Sequence, residues 1–443
     1  MTSHLEPPTD TYRHITPPDR YFPMHVLGAV CSRWRRLAWS TRGLWTFFNL
    51  NVGDVINNEH GLMLPECYFE NVGMRQMTLI VDCKMAQGLN SSLLEFLPSS
   101  RTKEGLFNSL RELIFDVYPE RIAQLRLVSP PPEWLLLLSD LFPTLRGLEL
   151  DWPFQNGRLL ENAISFPQLH PRAALYLRRT SEVPLVLTHL QLHTTSFRLA
   201  SYFLISCPNL ISYNVWSVTP GDPGGLPNNQ IVLPYLETFR WTWTSCDAHA
   251  KLLRQLRLPS LQYLYWTEYQ SSSRETDSEY EQYYLAIDAF FSELPAHQLR
   301  LYLCQFSSFE RHRARLRLFV ILSSTPRLKY LGIHEPSVGQ VDTLRTVTTI
   351  IKESRQRNGW VLPELEQLSL TGQACLRVIA PHSFIMLLDE RRISGSTAFH
   401  LDVPGHGRID FWWNDAVRCL LRTMVNGGYK LEITVGGGMI PAF

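Results

Sequence analysis

Residues 325–334 read Thr-Pro-Arg-Leu-Lys-Tyr-Leu-Gly-Ile-His, and their spacing decides the fold. Leu328, Leu331 and Ile333 are set apart by three positions and then by two, so the last positions alternate as a strand with one buried face requires. The same spacing returns at Met74/Met77/Leu79, Leu110/Leu113/Phe115, Leu145/Leu148/Leu150, Leu187/Leu190/Leu192 and Leu210/Tyr213/Val215. It continues at Leu236/Phe239/Trp241, Leu261/Leu264/Trp266, Ala296/Leu299/Leu301 and Leu365/Leu368/Leu370. Pro326 stands two residues before Leu328, and Pro143, Pro208, Pro234, Pro259 and Pro363 keep that offset in their own units. Proline cannot continue a helix and has no N–H to give a ladder, so it marks a stop between a helix and the next strand.

The repeated unit carries the L-x-x-L-x-L signature of a leucine-rich repeat. Between the units, residues 86–97, 133–141, 195–206, 247–257, 278–293, 311–324, 343–357, 383–392 and 415–426 read as helices. Strand then helix, repeated, predicts an α/β fold: a parallel sheet whose right-handed crossovers stack into a solenoid. The steps run from about 23 to about 42 residues, against roughly 20–29 for regular repeats, so the solenoid is irregular, with insertions. Two insertions read as loops: the turn-rich Val218–Asn229, and Ser271–Glu279, whose hydroxyls beside acids are either a solvated run or phosphate acceptors. A helix over 415–426 ending at Gly427-Gly428, then the strand Tyr-Lys-Leu-Glu-Ile-Thr-Val, is read as the C-terminal cap.

Ahead of the repeats, residues 24–50 read MHVLGAVCSRWRRLAWSTRGLWTFFNL. Leu27, Val30, Cys31, Trp34, Leu37 and Ala38 recur at three- and four-residue steps and define one helix face, with Arg33, Arg35 and Arg36 off it. The helix is expected to break at Ser40–Gly43, with Gly43 supplying the backbone freedom of its end and Leu44-Trp45 following as a second apolar anchor. Val30-Cys31-x-x-Trp34-Arg35-x-Leu37-Ala38 followed by Leu44-Trp45 resembles the second half of an F-box, in the form common in mushroom-type fungal families. An F-box opens with a Leu-Pro-x-Glu segment and a first helix, where this chain reads HITPPDRYFP. The resemblance implies docking on a Skp-type adaptor of a cullin ubiquitin ligase through Val30, Cys31, Trp34, Leu37, Leu44 and Trp45.

The expected organisation is therefore a Pro-rich flexible arm over 1–23, a partial F-box-like element over 24–50 and a leucine-rich-repeat-like solenoid over 51–443. Phe47 to Val52 reads as a short strand and 53–72 as a connection. With 42 Lys and Arg against 41 Asp and Glu, the net charge of +1 offers no field to steer nucleic acid or an anionic membrane. No apolar run approaches the roughly 20 residues of a spanning helix, and the first residues hold no signal-peptide core. The protein is accordingly read as cytoplasmic or nuclear. Its eight cysteines stand singly, as reduced and mostly buried thiols do; a zinc site wants clustered ligands, and Cys246-Asp247-Ala248-His249 is one isolated cluster, so no metal is assigned to it.

No nucleophile-elbow, phosphate-loop, zinc-protease or dinucleotide motif occurs in a suitable context, so no catalytic residue, metal or cofactor is assigned. A repeat sheet does offer a surface, because residues between the buried ones line up in rows across neighbouring strands. In the middle units these are Asn214, Trp216, Arg240, Thr242, Tyr263, Tyr265, Tyr330 and His334, rich in the types that dominate interfaces. The same positions also suit an ordinary solvated or helix-covered face. Two functions remain: a substrate-recognition subunit of a Skp-cullin-F-box ligase that reads its target with the repeat sheet, or a non-catalytic interaction scaffold whose degenerate F-box helix caps the solenoid.

Overall fold

The computed structural model describes residues 31–58, 60–84, 100–130, 134, 144–151, 187–193, 195–216, 218–219, 226, 229–243, 246–268, 277–295, 297–304, 311–334, 343–356, 361–371, 381–393, 395–396, 398–403, 415–435 and 438–439. They form a mixed α/β structure in two compact units, 1–186 and 187–443.

In the first unit, α1 (Ser32–Ser40) leads through a short 3-10 turn (Arg42–Trp45) into β1 (Phe47–Asn51). α2 (Val52–Ile56) and α3 (Met63–Val72) follow, then β2 (Met77–Asp82), α4 (Ser100–Glu112), β3 (Ile122–Val128) and β4 (Gly147–Asp151). The four strands pair in parallel in chain order. Three readings of the sequence are corrected here. Residues 53–72 are not a plain connection: they hold α2, capped by Asn51 Oδ1 accepting from the Gly53 N–H at 2.9 Å, and α3, whose Tyr68, Phe69 and Val72 are buried. Leu110, Leu113 and Phe115 sit on the end of α4 and the wide turn after it, and the strand is Ile122–Val128 instead. Met74 is exposed, so the buried face of β2 begins at Met77.

In the second unit the elements run β5 (His189–Leu192), β6 (Thr195–Ser196), α5 (Phe197–Ser206), β7 (Ser212–Val215), β8 (Val218–Thr219), β9 (Ile231–Val232) and β10 (Thr238–Trp243). Next come α6 (Cys246–Gln255), β11 (Leu256–Arg257), β12 (Tyr263–Glu268), α7 (Asp277–Ser292), β13 (Arg300–Cys304), α8 (Arg311–Ser323) and β14 (Tyr330–His334). The last are α9 (Thr343–Gln356), β15 (Gln367–Thr371), α10 (Pro381–Ile393), β16 (Ala398–Val403), α11 (Asp415–Asn426), β17 (Lys430–Val435) and β18 (Gly438–Met439). Strands β5, β7, β10, β12, β13, β14, β15, β16 and β17 pair in that order, all parallel, without closing into a barrel. β18 returns antiparallel along Thr434 and Val435. Short pairs β6–β8 and β9–β11 lie outside this sheet.

Parallel neighbours demand a crossover, and α6 to α11 supply them, each helix packing on the next. The apolar rows explain why. α7 buries Tyr280, Tyr283, Ala286, Ile287, Phe290 and Phe291 at helical spacing, and Phe291 meets Trp266 of β12 at 5.0 Å between ring centroids. Likewise the Tyr213 hydroxyl donates to the Ala200 carbonyl of α5 at 2.7 Å, and Phe399 of β16 lies 6.5 Å from Phe384 of α10. Each such aromatic contributes on the order of 1.5–3 kcal/mol on leaving water.

The prolines do more than stop a helix. Leu210, Leu236, Leu261, Leu328 and Leu365 each donate a backbone bond to the residue three before, closing a β-turn with Pro208, Pro234, Pro259, Pro326 or Pro363 at its second position. That position wants φ near −65° and no donor, which proline supplies. Gly428 ends α11 at φ +89°, with the Tyr429 N–H on the Met424 carbonyl and the Gly428 N–H on the Val425 carbonyl, the double closure that favours glycine. Gly43, in contrast, is not needed at the end of α1: Ser40 and Thr41 hydroxyls both donate to the Leu37 carbonyl, at 2.9 and 2.7 Å. The predicted helices 86–97 and 133–141, except residue 134, fall outside the described residues, as do the arm 1–23 and most of both loop insertions.

Candidate functional site

Two surfaces carry the residues singled out by sequence, one in each unit. On α1 the helical spacing is real, but burial follows only part of it. Ala38 is buried, whereas Trp34 is 47% exposed, Leu37 55% and Leu44 39%; Cys31 is exposed as well, and Val30 lies outside the described residues. Trp45 is only 3% exposed, so it cannot serve as a surface anchor. Its indole N–H donates to the Ala38 carbonyl at 3.1 Å, and its ring meets Tyr68 edge-on at 4.9 Å, with Phe48 stacked on Tyr68 at 4.1 Å. Burial pushes the Tyr68 hydroxyl up to about 12. Trp45 is thus the peg that fixes α1 to its unit, and Trp34 and Leu37 face outward.

The second surface is the side of the parallel sheet opposite the aromatic core. Register places Gln191, Asn214, Arg240, Tyr265, Tyr302, Gly332, Ser369, Asp402 and Thr434 in one row across the strands. A second row holds Thr238, Tyr263, Arg300, Tyr330, Gln367, His400 and Glu432. The guanidinium of Arg240 lies 3.8 Å above the Trp216 ring and 4.1 Å above the Tyr265 ring, held between two aromatic planes. Trp216, 38% exposed, in turn lies parallel to the His193 ring at 5.9 Å. Tyr265 stacks on Tyr302 at 4.6 Å, Tyr302 meets Tyr330 at 5.3 Å, and Arg300 sits 5.2 Å from the Tyr330 ring and 5.6 Å from that of Tyr263.

Gly332 makes this ladder possible. A Cβ there would stand 2.3 Å from Tyr302 Cδ1, so only glycine leaves the ring its seat. Burial, with the neighbouring Tyr330, raises the Tyr302 hydroxyl well above the usual phenol range, and burial raises Tyr330 too. Burial also raises the Cys304 thiol, against the opposing pull of Arg240. The far end of the face is internally satisfied: Asp402 accepts from Thr434 at 2.7 Å and Ser369 at 3.2 Å, and Lys329 pairs with Glu366 at 2.7 Å. There a concavity of about 450 Å³ opens between Arg300, Lys329, Tyr330, Gln367, His400 and Glu432.

Of the predicted face residues, Trp216, Arg240, Tyr263 and Tyr265 come together in the ladder, and Asn214 stands beside Arg240 in register, its amide donating to Ser212 Oγ at 3.1 Å. Thr242 is a correction: it is buried, its hydroxyl donating to the Trp216 carbonyl at 2.7 Å, and so ties strands together. Tyr330 is buried as well and acts as backing for Tyr302. His334 lies on β14, and its side chain is outside the described residues. Sequence reasoning missed His193, Arg300, Tyr302 and Gly332, although the alternation around Leu299, Leu301 and Leu303 marks Arg300 and Tyr302 by the rule that found Tyr265.

His249 proves to be a core group rather than a ligand: its Nε2 accepts from the buried Trp241 indole N–H at 3.1 Å, and Phe197 meets its ring edge-on. Among the described residues no cluster of three or more His, Cys, Asp or Glu could hold a metal ion, and no helix is long and apolar enough to cross a membrane. Comparison of the chain with protein-family models, curated proteins and solved structures found no match.

Proposed function

We propose that this chain is a non-catalytic recognition subunit: a Skp-type adaptor docks on α1 and a target protein docks on the open sheet face. The observation that carries the first half is the outward presentation of Trp34, Leu37 and Leu44 on an element pinned from behind by Trp45. Large apolar side chains held at a surface mark contact sites, and their spacing is that of the F-box resemblance. The second half rests on the arginine–aromatic ladder. Strand-by-strand order and sequential helix packing support an irregular leucine-rich-repeat-like solenoid as the carrier, in which each unit touches mainly its neighbours. Ubiquitin transfer then belongs to the cullin ligase, in the cytoplasm or nucleus.

One observation favours the alternative, an interaction scaffold in which α1 merely closes the first unit: Trp45, one of the two tryptophans of the expected adaptor anchor, is committed to the core. A pull-down with purified Skp-type adaptor separates the two, comparing the parent chain with Trp34→Ala/Leu37→Ala. These side chains are exposed, so the variant is expected to fold as the parent does. Adaptor capture by the parent that is lost in the folded variant is the expected result. No capture by either leaves the scaffold.

A further inference from the structure

The charge on the sheet face is one-sided. Along the two rows described, from β5 through β15, the charged side chains are Arg240 and Arg300, and no Asp or Glu occupies either row before Asp402 and Glu432 on β16 and β17. Both arginines are residues of intermediate burial, both guanidiniums lie over aromatic rings, and neither is ion-paired among the described residues. Stacking uses the two flat faces of a guanidinium and leaves its in-plane N–H edge open to a partner. That edge fits a carboxylate in bidentate geometry, a match of shape as well as charge. A planar cation half-removed from water and held rigid by two rings has already lost the rotamer freedom that binding would otherwise cost.

The geometry sets the spacing too. Arg240 on β10 and Arg300 on β13 are separated by β12 and offset by two residues along the strands. With strands about 4.8 Å apart and residues rising about 3.3 Å, the two Cα atoms are roughly 12 Å apart. An extended segment covers that distance in about four residues, which also returns its side chains to the same side.

We propose that this face binds an acidic, extended peptide segment of the partner protein, with carboxylates about four residues apart on the edges of Arg240 and Arg300 and an apolar side chain against Trp216. The proposal deepens the reading of the sheet as the partner surface and is independent of adaptor docking on α1. Nucleic acid, which would also stack and pair with arginine, is disfavoured: no Lys joins the two arginines in these rows, and the net charge is only +1.

The test uses the full chain without adaptor and fluorescein-labelled peptides on a Ser/Val background, read by anisotropy. One peptide carries two Glu four positions apart, one carries two Lys at the same positions, and a single-stranded oligothymidylate is the third probe. The Glu peptide should bind, more weakly as salt rises, and Arg240→Gln or Arg300→Gln should weaken it by about tenfold or more with the circular dichroism unchanged. Arg240→Lys should recover only part of the loss, because lysine keeps the charge and not the plane. Absence of binding, equal binding of the Glu and Lys peptides, affinity indifferent to both Gln variants, or tighter binding of the oligonucleotide each overturns the proposal. Because no adaptor is present, such a failure leaves the pull-down on α1 standing on its own result.

Discussion

Gly332→Ala offers a test of the ladder in which the sign of the effect reverses. The added Cβ would stand 2.3, 2.8 and 3.1 Å from Cδ1, Cε1 and Cγ of Tyr302, so the whole ring must leave its seat. Forcing a methyl into a filled site costs roughly 1–3 kcal/mol. Losing the Tyr265 stack adds about 0.5–1.5 kcal/mol, and the ring contact between Tyr302 and Tyr330 goes with it. Opposing these, alanine in a strand is better than glycine by about 0.5–1 kcal/mol. The net expectation is a destabilisation of about 1–3 kcal/mol in the parent. In a Tyr302→Ala background the obstacle is gone, and the same Gly332→Ala change should be neutral or stabilising. Urea unfolding of the four chains of this cycle, followed by circular dichroism, measures a coupling expected to be about 1–4 kcal/mol. Equal costs in both backgrounds would refute the seat of Tyr302 over Gly332, and with it the buttress behind Arg240.

Two further expectations concern the first unit. Trp45→Ala should cost about 3–5 kcal/mol in the unfolding of that unit, because it empties the space against Tyr68 and leaves the Ala38 carbonyl only the longer bond from the Thr41 N–H, while Trp34→Ala should stay within about 0.5 kcal/mol. Equal sensitivity in a thermal melt would contradict the assignment of one tryptophan to the core and the other to the surface. Tyr68, held protonated by burial, contributes stability that is fully present below pH 10, the phenol value, and is lost as pH rises towards about 12. A Tyr68→Phe variant should therefore lose less stability over that window than the parent, and an identical alkaline profile would count against the burial of the hydroxyl.

The repeat region was legible because its signals are local. A proline at the second position of the turn and a period of two just after it leave little choice, and β7, β10, β12, β14 and β15 follow; β13 is signalled by its period of two alone. The first unit was less so, since a three-then-two spacing fits a helix turn as well as a strand. Leu110/Leu113/Phe115 satisfied it from a helix end, while Ile122/Leu125/Leu127 satisfied it from the true strand β3. β16 was missed because Ser396 stands where its first apolar residue should be, leaving only Phe399, Leu401 and Val403 to signal it. On the sheet face, alternation alone finds Arg240 and Tyr265. That the cation lies between Trp216 and Tyr265 depends on strand register across units, which no single stretch encodes.

The antiparallel return of β18 bears on self-association. A parallel stack ends in a strand whose outer N–H and C=O groups could template another chain. Among the described residues β18 pairs along Thr434 and Val435 only, so within them the stretch from Lys430 to Ile433 has side chains as its protection. Lys430 and Glu432 are both exposed there, placing opposite charges on a strand whose alternate residues, Leu431 and Ile433, are apolar and buried. Neutralising the two charges together would turn the end of the stack into a sticky edge, and colloidal behaviour, rather than folding or recognition, would be the first property to suffer.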